Sequence, residues 1–338
     1  QIPPKFINDI FLSHLHGDHY ADLPYMYPFT AWAGRWEPLR LYGPSGRTPE
    51  LGITYMAKHM REMLKWHEEN FLHVTTSAGY EMDVTEFDWR DENGLCYDKD
   101  GITVRHWPRS HVKDGASAYR LDWEEAGLSM VWTGDGRPDE KTAEYAKGVD
   151  VFITEGQIDT PELMSLKFGV PGDLAKYTID SWHTMYYAAG YLMNEIQPRM
   201  GMIVHYEDAG SALEAESVAE VRANYDGLFM FGGPDVQVVN VTKDRIWSRE
   251  AALPEGAAIS PLDPRWLMDG PLPEKVPLPP PEMPRETQQE QFLRDMEIDP
   301  HRYYPEDVDR EPINTWPDEG FTINPKEMLR ARGIEVDD

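Results

Sequence analysis

Cysteine is almost absent from this chain of 338 residues, in which Cys96 is the single one. One thiol cannot form an intrachain disulfide, and a sequence without disulfides is typical of a reducing compartment, so we expect a cytoplasmic protein. The chain also has no run of about 18 apolar residues, the length that indicates a membrane-spanning helix. We therefore expect no membrane partner.

Basic residues are scarce relative to acidic ones. The chain has 32 Lys and Arg against 60 Asp and Glu, which gives a formal net charge of −28 at pH 7. Proteins bind nucleic acid mainly by neutralising phosphates with Lys and Arg. We therefore expect no nucleic-acid partner, and we expect a small, neutral or weakly charged substrate instead.

Histidine, in contrast, is concentrated in one short stretch near the start of the chain. The stretch S-H-L-H-G-D-H holds three imidazoles and one carboxylate: His14, His16, Asp18 and His19. Neutral imidazole and carboxylate are ligands that suit zinc, and also iron and manganese. In an extended segment His14 and His16 point the same way, and a turn at Gly17 would direct Asp18 and His19 to a neighbouring point. One loop can therefore supply ligands to two metals.

Four further motifs follow in chain order, each with one residue able to bind metal or move a proton. His111 lies in R-S-H-V-K, Asp135 ends V-W-T-G-D, His183 lies in S-W-H-T, and His205 ends M-I-V-H. His106, on the strand-like segment before His111, competes with it for the ligand role. The ordered set of motifs is far more specific than the first motif alone.

Through these motifs, over roughly residues 6–245, the chain resembles the metallo-β-lactamase fold hydrolases, and most of all their ribonuclease Z and arylsulfatase-like branch. The resemblance implies an α/β fold, the αββα sandwich, and a centre of two divalent metal ions, with zinc preferred over manganese or iron. It implies that one metal is held by His14, His16 and His111, that the other is held by Asp18, His19 and His205, and that Asp135 bridges the two.

The same resemblance implies hydrolysis. Two cations about 3.5 to 4 Å apart lower the pKa of a shared water toward neutrality, so a bridging hydroxide would be the nucleophile. Asp18 and His183 are the catalytic candidates, and His183 would donate a proton to the leaving group or bind the developing oxyanion. Two alternatives stay open: His183 could only orient a metal ligand, and Glu155 could be an acidic site residue or a carboxylate at the edge of the core.

Aromatic side chains are abundant, with 11 Trp and 17 Tyr, and many of them lie near these motifs. Flat, amphipathic side chains suit a pocket for an aromatic or apolar small molecule, although ordinary packing accounts for any single one equally well. The candidates for the lining of a substrate pocket are Tyr20, Tyr25, Trp32, Trp36, Glu155 and Trp182.

We interpret the chain as a binuclear metal-dependent hydrolase that acts on a small ester, lactone or activated aryl ether. One alternative is a phosphodiesterase or a ribonuclease Z-like nuclease. An alternative of another class is a diiron redox protein of the same fold, although that type usually has Glu where His16 stands. Pocket shape comes from loops that motif spacing does not determine, so the sequence leaves the scissile bond open.

The organisation of the chain departs from the family at both ends. The strands that normally precede the metal loop are missing, so we expect residues 1–249 to be an incomplete catalytic domain, completed in an oligomer by a second polypeptide or a cleaved N-terminal fragment. The split, two-subunit dinitroanisole demethylase type is a related case. Residues 250–338 are acidic and contain the proline-rich stretch Pro271–Pro284; we interpret them as an extended arm that wraps a neighbouring subunit, with a solvated tail as the alternative.

Apolar runs and helical spacing predict the elements between these ends. Strands are predicted at 7–12, 39–42, 102–107, 118–121, 129–133, 149–154, 200–204 and 236–241, and helices at 49–70, 140–147, 185–195 and 214–223.

Overall fold

The computed structural model describes residues 4–72, 77–112, 115–157, 165, 169–206, 211–232 and 237–250. Residues 251–338, which hold nearly all of the arm expected from the sequence, lie outside the described residues, so the arm stays a prediction. In the described part of the chain, no helix is both long enough and apolar enough to cross a bilayer.

Strands and helices alternate through most of the described chain. The strands are β1 (Asp9–Phe11), β2 (Leu39–Pro44), β3 (Met82–Phe87), β4 (Gly94–Lys99), β5 (Ile102–Pro108), β6 (Ser117–Trp123), β7 (Leu128–Trp132), β8 (Val151–Glu155), β9 (Met200–Val204), β10 (Phe229–Phe231), β11 (Gln237–Val241) and β12 (Ile246–Glu250). The α-helices are α1 (Gly17–Tyr20), α2 (Leu23–Trp32), α3 (Ile53–Phe71), α4 (Glu140–Tyr145), α5 (Gly172–Trp182), α6 (Tyr186–Ile196) and α7 (Ser211–Arg222). Short 3-10 helices cover Pro4–Phe6, Pro49–Leu51 and Ser77–Tyr80.

The strands form two main sheets. The smaller sheet is parallel, in the order β1-β2-β3. The larger sheet has seven strands in the order β10-β9-β8-β7-β6-β5-β4. It is parallel from β10 to β7 and antiparallel from β7 to β4. Strands β11 and β12 form a separate antiparallel pair.

Each sheet is covered by helices on one face and meets the other sheet on its opposite face. Helix α3 packs on β2 and β3, and helix α6 packs on β8 and contacts α4 and α7. Between the sheets, the ring of Phe11 stacks on Tyr42 of its own sheet at 4.5 Å and meets Tyr97 and Tyr119 of the larger sheet edge-on at 5.8 and 5.7 Å. The order of layers is therefore helix, sheet, sheet, helix, and the prediction of an α/β sandwich is confirmed.

The core is divided in the same way, with one apolar cluster under each helical layer. Leu23, Leu41 and Ile53 belong to the cluster between the small sheet and α2 and α3. Phe152 and Ile196 belong to the cluster between the large sheet and α6 and α7. The second cluster consists mainly of the apolar strand runs and helical stripes that indicated buried elements in the sequence, whereas Leu23 of the first cluster belongs to α2, which the sequence did not predict.

Parallel strands direct their carboxyl ends to one edge of the sandwich. Strand β7 ends before Thr133, β8 ends at Glu155 and β9 ends before His205, so the T-G-D turn, Glu155 and His205 come together there. The loop after β1 reaches the same edge, which is where ligands bind in open α/β sheets.

Candidate metal centre

The histidine-rich loop is fixed between the two sheets by backbone hydrogen bonds. The Leu12 amide donates to the carbonyl of Tyr42 in the small sheet at 2.9 Å, and the Ser117 amide donates to the carbonyl of Ser13 at 2.9 Å. The hydroxyl of Tyr119 in the large sheet also donates to the Leu12 carbonyl, at 2.6 Å. The loop is therefore held by both sheets at the point where the first two histidines begin.

The first group of ligand-type side chains consists of His14, His16 and His111. Nδ1 of His16 lies 3.1 Å from Nε2 of His14 and 3.1 Å from Nε2 of His111. Three imidazole nitrogens at these distances can face one metal ion. His106, in contrast, is buried in β5 with its ring stacked on Phe87 at 3.6 Å, so the structure places His111 and not His106 in this group.

The second group consists of Asp18, His19 and His205, which come from opposite ends of the domain. Oδ2 of Asp18 lies 3.2 Å from Nε2 of His19 and 3.1 Å from Nε2 of His205. This group is more open than the first, because 63% of the Asp18 side chain and 32% of the His205 side chain are exposed.

Asp135 lies between the two groups and is almost fully buried. Its Oδ2 is 3.2 Å from Nε2 of His19 and 3.5 Å from Nε2 of His205 on one side. On the other side it is 3.8 Å from Nε2 of His111 and 4.0 Å from Nε2 of His14. One carboxylate oxygen thus faces ligand nitrogens of both groups, which is the position that a bridging ligand occupies.

Contacts on the far side of the rings orient three of the histidines. Nδ1 of His111 donates to the main-chain carbonyl of Trp182 at 2.7 Å, which leaves its Nε2 without a proton and able to bind metal. Nδ1 of His14 lies 3.1 Å from the Ser13 hydroxyl, and Nδ1 of His205 lies 3.7 Å from Oε2 of Glu155. Such contacts keep ring nitrogens pointed at a metal site.

The protonation states also fit metal binding. Burial lowers the pKa of His14 to about 3 and lowers the pKa of His111, so both rings are neutral at physiological pH. Burial alone would raise the pKa of Asp135, but the close contact with His19 and the charges of His19 and the other histidines hold it well below its usual range. The Glu155 carboxylate raises the pKa of His205 to about 9, and the same negative surroundings favour a bound cation.

One buried atom tests directly whether the site fits a metal. Nε2 of His19 is buried and has no hydrogen-bond partner among the described residues, although it points between the carboxylates of Asp18 and Asp135. A buried ring nitrogen without a partner costs free energy, and a metal ion would satisfy it. The donor set and this unsatisfied nitrogen both fit a divalent cation.

His183 lies beside the cluster and is held by Glu155. Its Nδ1 is 2.7 Å from Oε2 of Glu155, and its ring is stacked 6.0 Å from the ring of His205. Burial would lower the pKa of His183, but the bond to the Glu155 carboxylate more than offsets it and the pKa is raised. Oε1 of Glu155 accepts the Gly136 amide at 2.6 Å, so this carboxylate connects His183 to the turn that carries Asp135.

Two backbone positions at the site have left-handed conformations. Gly134 has φ +57°, and a Cβ there would lie 2.5 Å from Cβ of Ser13, so the turn before Asp135 requires glycine. His205 has φ +48°, an uncommon conformation for this residue type, and the Gln157 side chain donates to its carbonyl at 2.9 Å. Strained backbone of this kind is found mainly at functional sites.

The expected pocket residues fall into two sets. Glu155 and Trp182 adjoin the metal-ligand cluster through His183 and His111. The others lie in or beside α1 and α2, where Tyr20 packs against the core of the small sheet and Tyr25 stacks on Phe29 at 4.6 Å. The rings of Trp32 and Phe71 meet with centroids 6.4 Å apart, and Trp36 is 36% exposed. Within the described residues, neither Trp32 nor Trp36 is found in contact with the metal-ligand cluster.

Four residues that the sequence analysis did not select support the site. Ser13 contacts His14, Gln157 holds the His205 carbonyl, and both Arg109 and Thr184 donate to the carbonyl of Gly136, at 2.8 and 2.6 Å. All four lie within two residues of a predicted site residue in the sequence. This closeness in sequence is the signal that could have identified them as supporting residues.

Comparisons with known proteins show which proteins this chain is similar to. No protein-family model matches the chain. It is 26% identical over 185 residues to ribonuclease Z of Bacillus velezensis, covering 46% of this chain and 59% of that protein. It is 49% identical over 184 residues to ribonuclease Z of Methanococcus maripaludis, covering 51% of this chain and 52% of that protein. A metallo-β-lactamase fold protein from Bacillus subtilis has a TM-score of 0.47 and 16% identity, covering 73% of this chain and 80% of its own.

The sandwich, the ordered motifs and the curated relatives together define a protein of the metallo-β-lactamase fold. Within this class the relatives fall in the ribonuclease Z branch, so the resemblance seen in the sequence is confirmed. The chain spans little more than half the length of the curated relatives it matches. The relation to the two-subunit demethylase type stays a prediction.

The relatives also correct one expectation. Both are named as ribonucleases, which overturns the expectation of a small-molecule substrate and no nucleic-acid partner. The interpretation as an ester, lactone or aryl ether hydrolase is likewise less well supported than its nuclease alternative. The physical reason is that the net charge of −28 is a sum over the whole chain, whereas phosphate contacts depend on the charge at one surface.

Proposed function

We propose that this chain carries the catalytic site of a metal-dependent hydrolase that cleaves phosphodiester bonds in RNA. The observation that carries the proposal is the meeting of ligand atoms from distant motifs, which lie within 4.8 Å of one another in each group, in a chain similar to ribonuclease Z. The activity named for the relatives is a proposal for this chain, which matches about half of their length.

The metal ligands follow from the two groups of side chains. His14, His16 and His111 would hold one divalent cation, Asp18, His19 and His205 would hold the second, and Asp135 would contact both. Imidazole and carboxylate suit zinc, and they also accept manganese or iron. When bound, such cations activate water as a nucleophile and polarise a phosphoryl oxygen.

His183 is proposed to supply the proton that the leaving oxygen needs. Its Nδ1 is engaged by Glu155, so Nε2 is the ring nitrogen left for the substrate, and the carboxylate stabilises the protonated ring. Asp18 is proposed to orient the attacking water, because its carboxylate is exposed to solvent beside His19 and His205. Transfer of a proton to the leaving group is the step that a buried, carboxylate-bound His performs in general acid catalysis.

A substrate panel with metal analysis tests this function. The purified chain, supplied with zinc or manganese, is assayed on RNA, bis(p-nitrophenyl) phosphate and p-nitrophenyl acetate, and its metal content is measured. We expect RNA cleavage and two metals per chain in the wild type. In Asp135→Ala and His16→Ala we expect both the cleavage and the metal binding to be lost. Asp83→Ala, which removes an exposed carboxylate on β3, is the matched control and keeps both.

Two results would contradict the proposal. One is intact RNA with the metal-replete wild type, especially if the acetate ester is hydrolysed. The other is full metal content in Asp135→Ala, because that carboxylate is the group that both proposed metals share.

A further inference from the structure

A cavity of about 670 Å³ lies beside the candidate metal centre. It is bounded by the end of β5, the start of α4 and the end of α5, and we call it the Trp182 cavity. His111 belongs to its wall and also to the first ligand group, so the cavity adjoins the metal-ligand cluster. Pockets of roughly 300 to 1,000 Å³ are the size that encloses small ligands, and a single nucleotide falls in that range.

Three aromatic side chains form part of the wall: Trp89, Tyr177 and Trp182. The rings of Tyr177 and Trp182 meet edge-on with centroids 5.6 Å apart, and this contact orients the indole at the wall of the cavity. Proteins that bind single-stranded nucleic acid place bases on such aromatic faces, and this stacking tolerates any base. The wall therefore has the chemistry of a base-stacking site.

The charged side chains of the wall are equal in number, with Arg109 and Lys141 against Asp139 and Glu140, unlike those of the chain as a whole. Arg109 is fully buried and paired with Asp139, which also accepts the Thr142 amide at the start of α4. Lys141 is 40% exposed and is paired with Glu92, and an exposed pair of this kind contributes little to stability. The ammonium of Lys141 can therefore exchange Glu92 for a phosphate.

We propose that the Trp182 cavity binds the nucleobase of a nucleotide adjacent to the scissile phosphodiester, stacked on Trp182, while Lys141 contacts a neighbouring phosphate. The proposal rests on the proposed RNA hydrolysis and names the part of the substrate that this cavity recognises. A base held here lies next to His111, so its phosphate is directed toward the metal-ligand cluster and toward His183. Trp182 acts as a specificity residue for unpaired nucleotides.

Binding of two simple probes tests the cavity without any turnover. Adenosine 5′-monophosphate and ribose 5-phosphate differ by the base alone, and their affinities for the full chain are measured by calorimetry. We expect the nucleotide to bind roughly tenfold or more tightly than the sugar phosphate, as base stacking on one aromatic side chain predicts. The preference should disappear in Trp182→Ala and persist in Trp182→Phe, which keeps an aromatic face.

The control is Trp66→Ala, which removes a side chain that is 78% exposed on α3, and it should retain the full preference. Equal affinity of the two probes for the wild type, or a preference that survives Trp182→Ala in a folded protein, would overturn the proposal.

A cleavage assay then separates this proposal from the proposed function. RNA with an abasic nucleotide beside the cleavage point is compared with the intact RNA. We expect Trp182→Ala to raise KM for the intact RNA and to leave KM for the abasic RNA unchanged. Cleavage of both RNAs with no effect of Trp182→Ala would refute the cavity proposal and leave RNA hydrolysis standing. Trp182-dependent nucleotide binding without any RNA cleavage would refute the hydrolysis and leave the base site standing.

Discussion

The Glu155–His183 pair is the residue contact with the clearest consequence for turnover. His183→Ala should lower kcat for RNA by a factor of about 10² to 10⁴, the range that a positioned general acid supplies, while the metal content stays at the wild-type level. The reason is that Nδ1 of His183 is bound by Glu155 and the residue belongs to neither proposed ligand group, although its ligand atom lies within 4.8 Å of those of Asp135 and His205. Kinetics and metal analysis on the same preparation check this.

A second variant separates positioning from proton transfer. Glu155→Gln keeps a hydrogen-bond acceptor for His183 but removes the charge that stabilises its protonated ring. We expect a smaller loss of kcat than in His183→Ala. A loss of metal in His183→Ala would instead assign this histidine to the metal site.

At the residue scale, the sequence predicted which side chains meet but not how each is oriented. The types and order of His14, His16, His111 and Asp135 were sufficient to predict that these side chains lie together, because the family resemblance supplies their grouping. That they hold metal stays a prediction. Whether Nδ1 or Nε2 of a ring faces the site depends on a neighbour on its other side. For His111 that neighbour is a main-chain carbonyl 71 residues away in the chain, which leaves no signal in a sequence motif.

At the scale of elements, an ion pair connects the first two strands. Asp9 in β1 accepts two hydrogen bonds from Arg40 in β2, at 2.7 and 2.8 Å, and these bonds lower the pKa of the Asp9 carboxyl below its ordinary value of 3.8. A lowered pKa in the folded state stabilises the protein above pH 3.8, and this stabilisation is lost as the pH falls through the folded-state pKa.

Asp9→Asn should therefore reduce the free energy of unfolding at pH 7 by about 1 kcal/mol, because the pair is partly exposed. The difference from the wild type should shrink as the pH falls from about 3.8 through the lowered folded-state pKa of Asp9, because the wild-type carboxyl is then protonated in the folded state as well. Urea unfolding at several pH values measures this. Asp83→Asn on β3 is the control, and an equal effect in that variant would contradict the assignment to the Arg40 pair.

The sequence predicted the elements that have clear hydrophobic patterns, but it did not predict the two helices α2 and α5. Strands β5 to β9 and helices α3, α4 and α6 match the apolar runs and helical stripes within a few residues. Helix α2 was missed because it contains Pro24 in its first turn and Pro28 in its interior, and proline normally marks a loop. Helix α5 begins after Pro171 and has only a short apolar stripe, so tertiary packing decides its formation.

At the scale of the whole molecule, the acidic composition limits how RNA can be held. Affinity for single-stranded nucleic acid falls with salt at a slope of about −0.7 for each phosphate that is neutralised. The Trp182 cavity offers one exposed cation, Lys141, among its lining residues, so we expect a slope of about −0.7.

Anisotropy of a labelled RNA measures this slope over a series of KCl concentrations. The His183→Ala variant is suitable because it should bind without cleaving. A slope several times steeper would show that basic surface elsewhere in the chain contacts the RNA, and it would contradict the dominant role of stacking at Trp182.

The unequal exposure of the two ligand groups has a consequence for how the two proposed metal ions would leave the protein. His14 and His111 have only 6% and 3% of their side chains exposed, whereas 63% of Asp18 is exposed. A competing chelator in solution can reach the outer ion directly, but it reaches the inner ion only after the surrounding segments open. The centre should therefore lose its ions in two stages, and a form with one retained ion should accumulate between them.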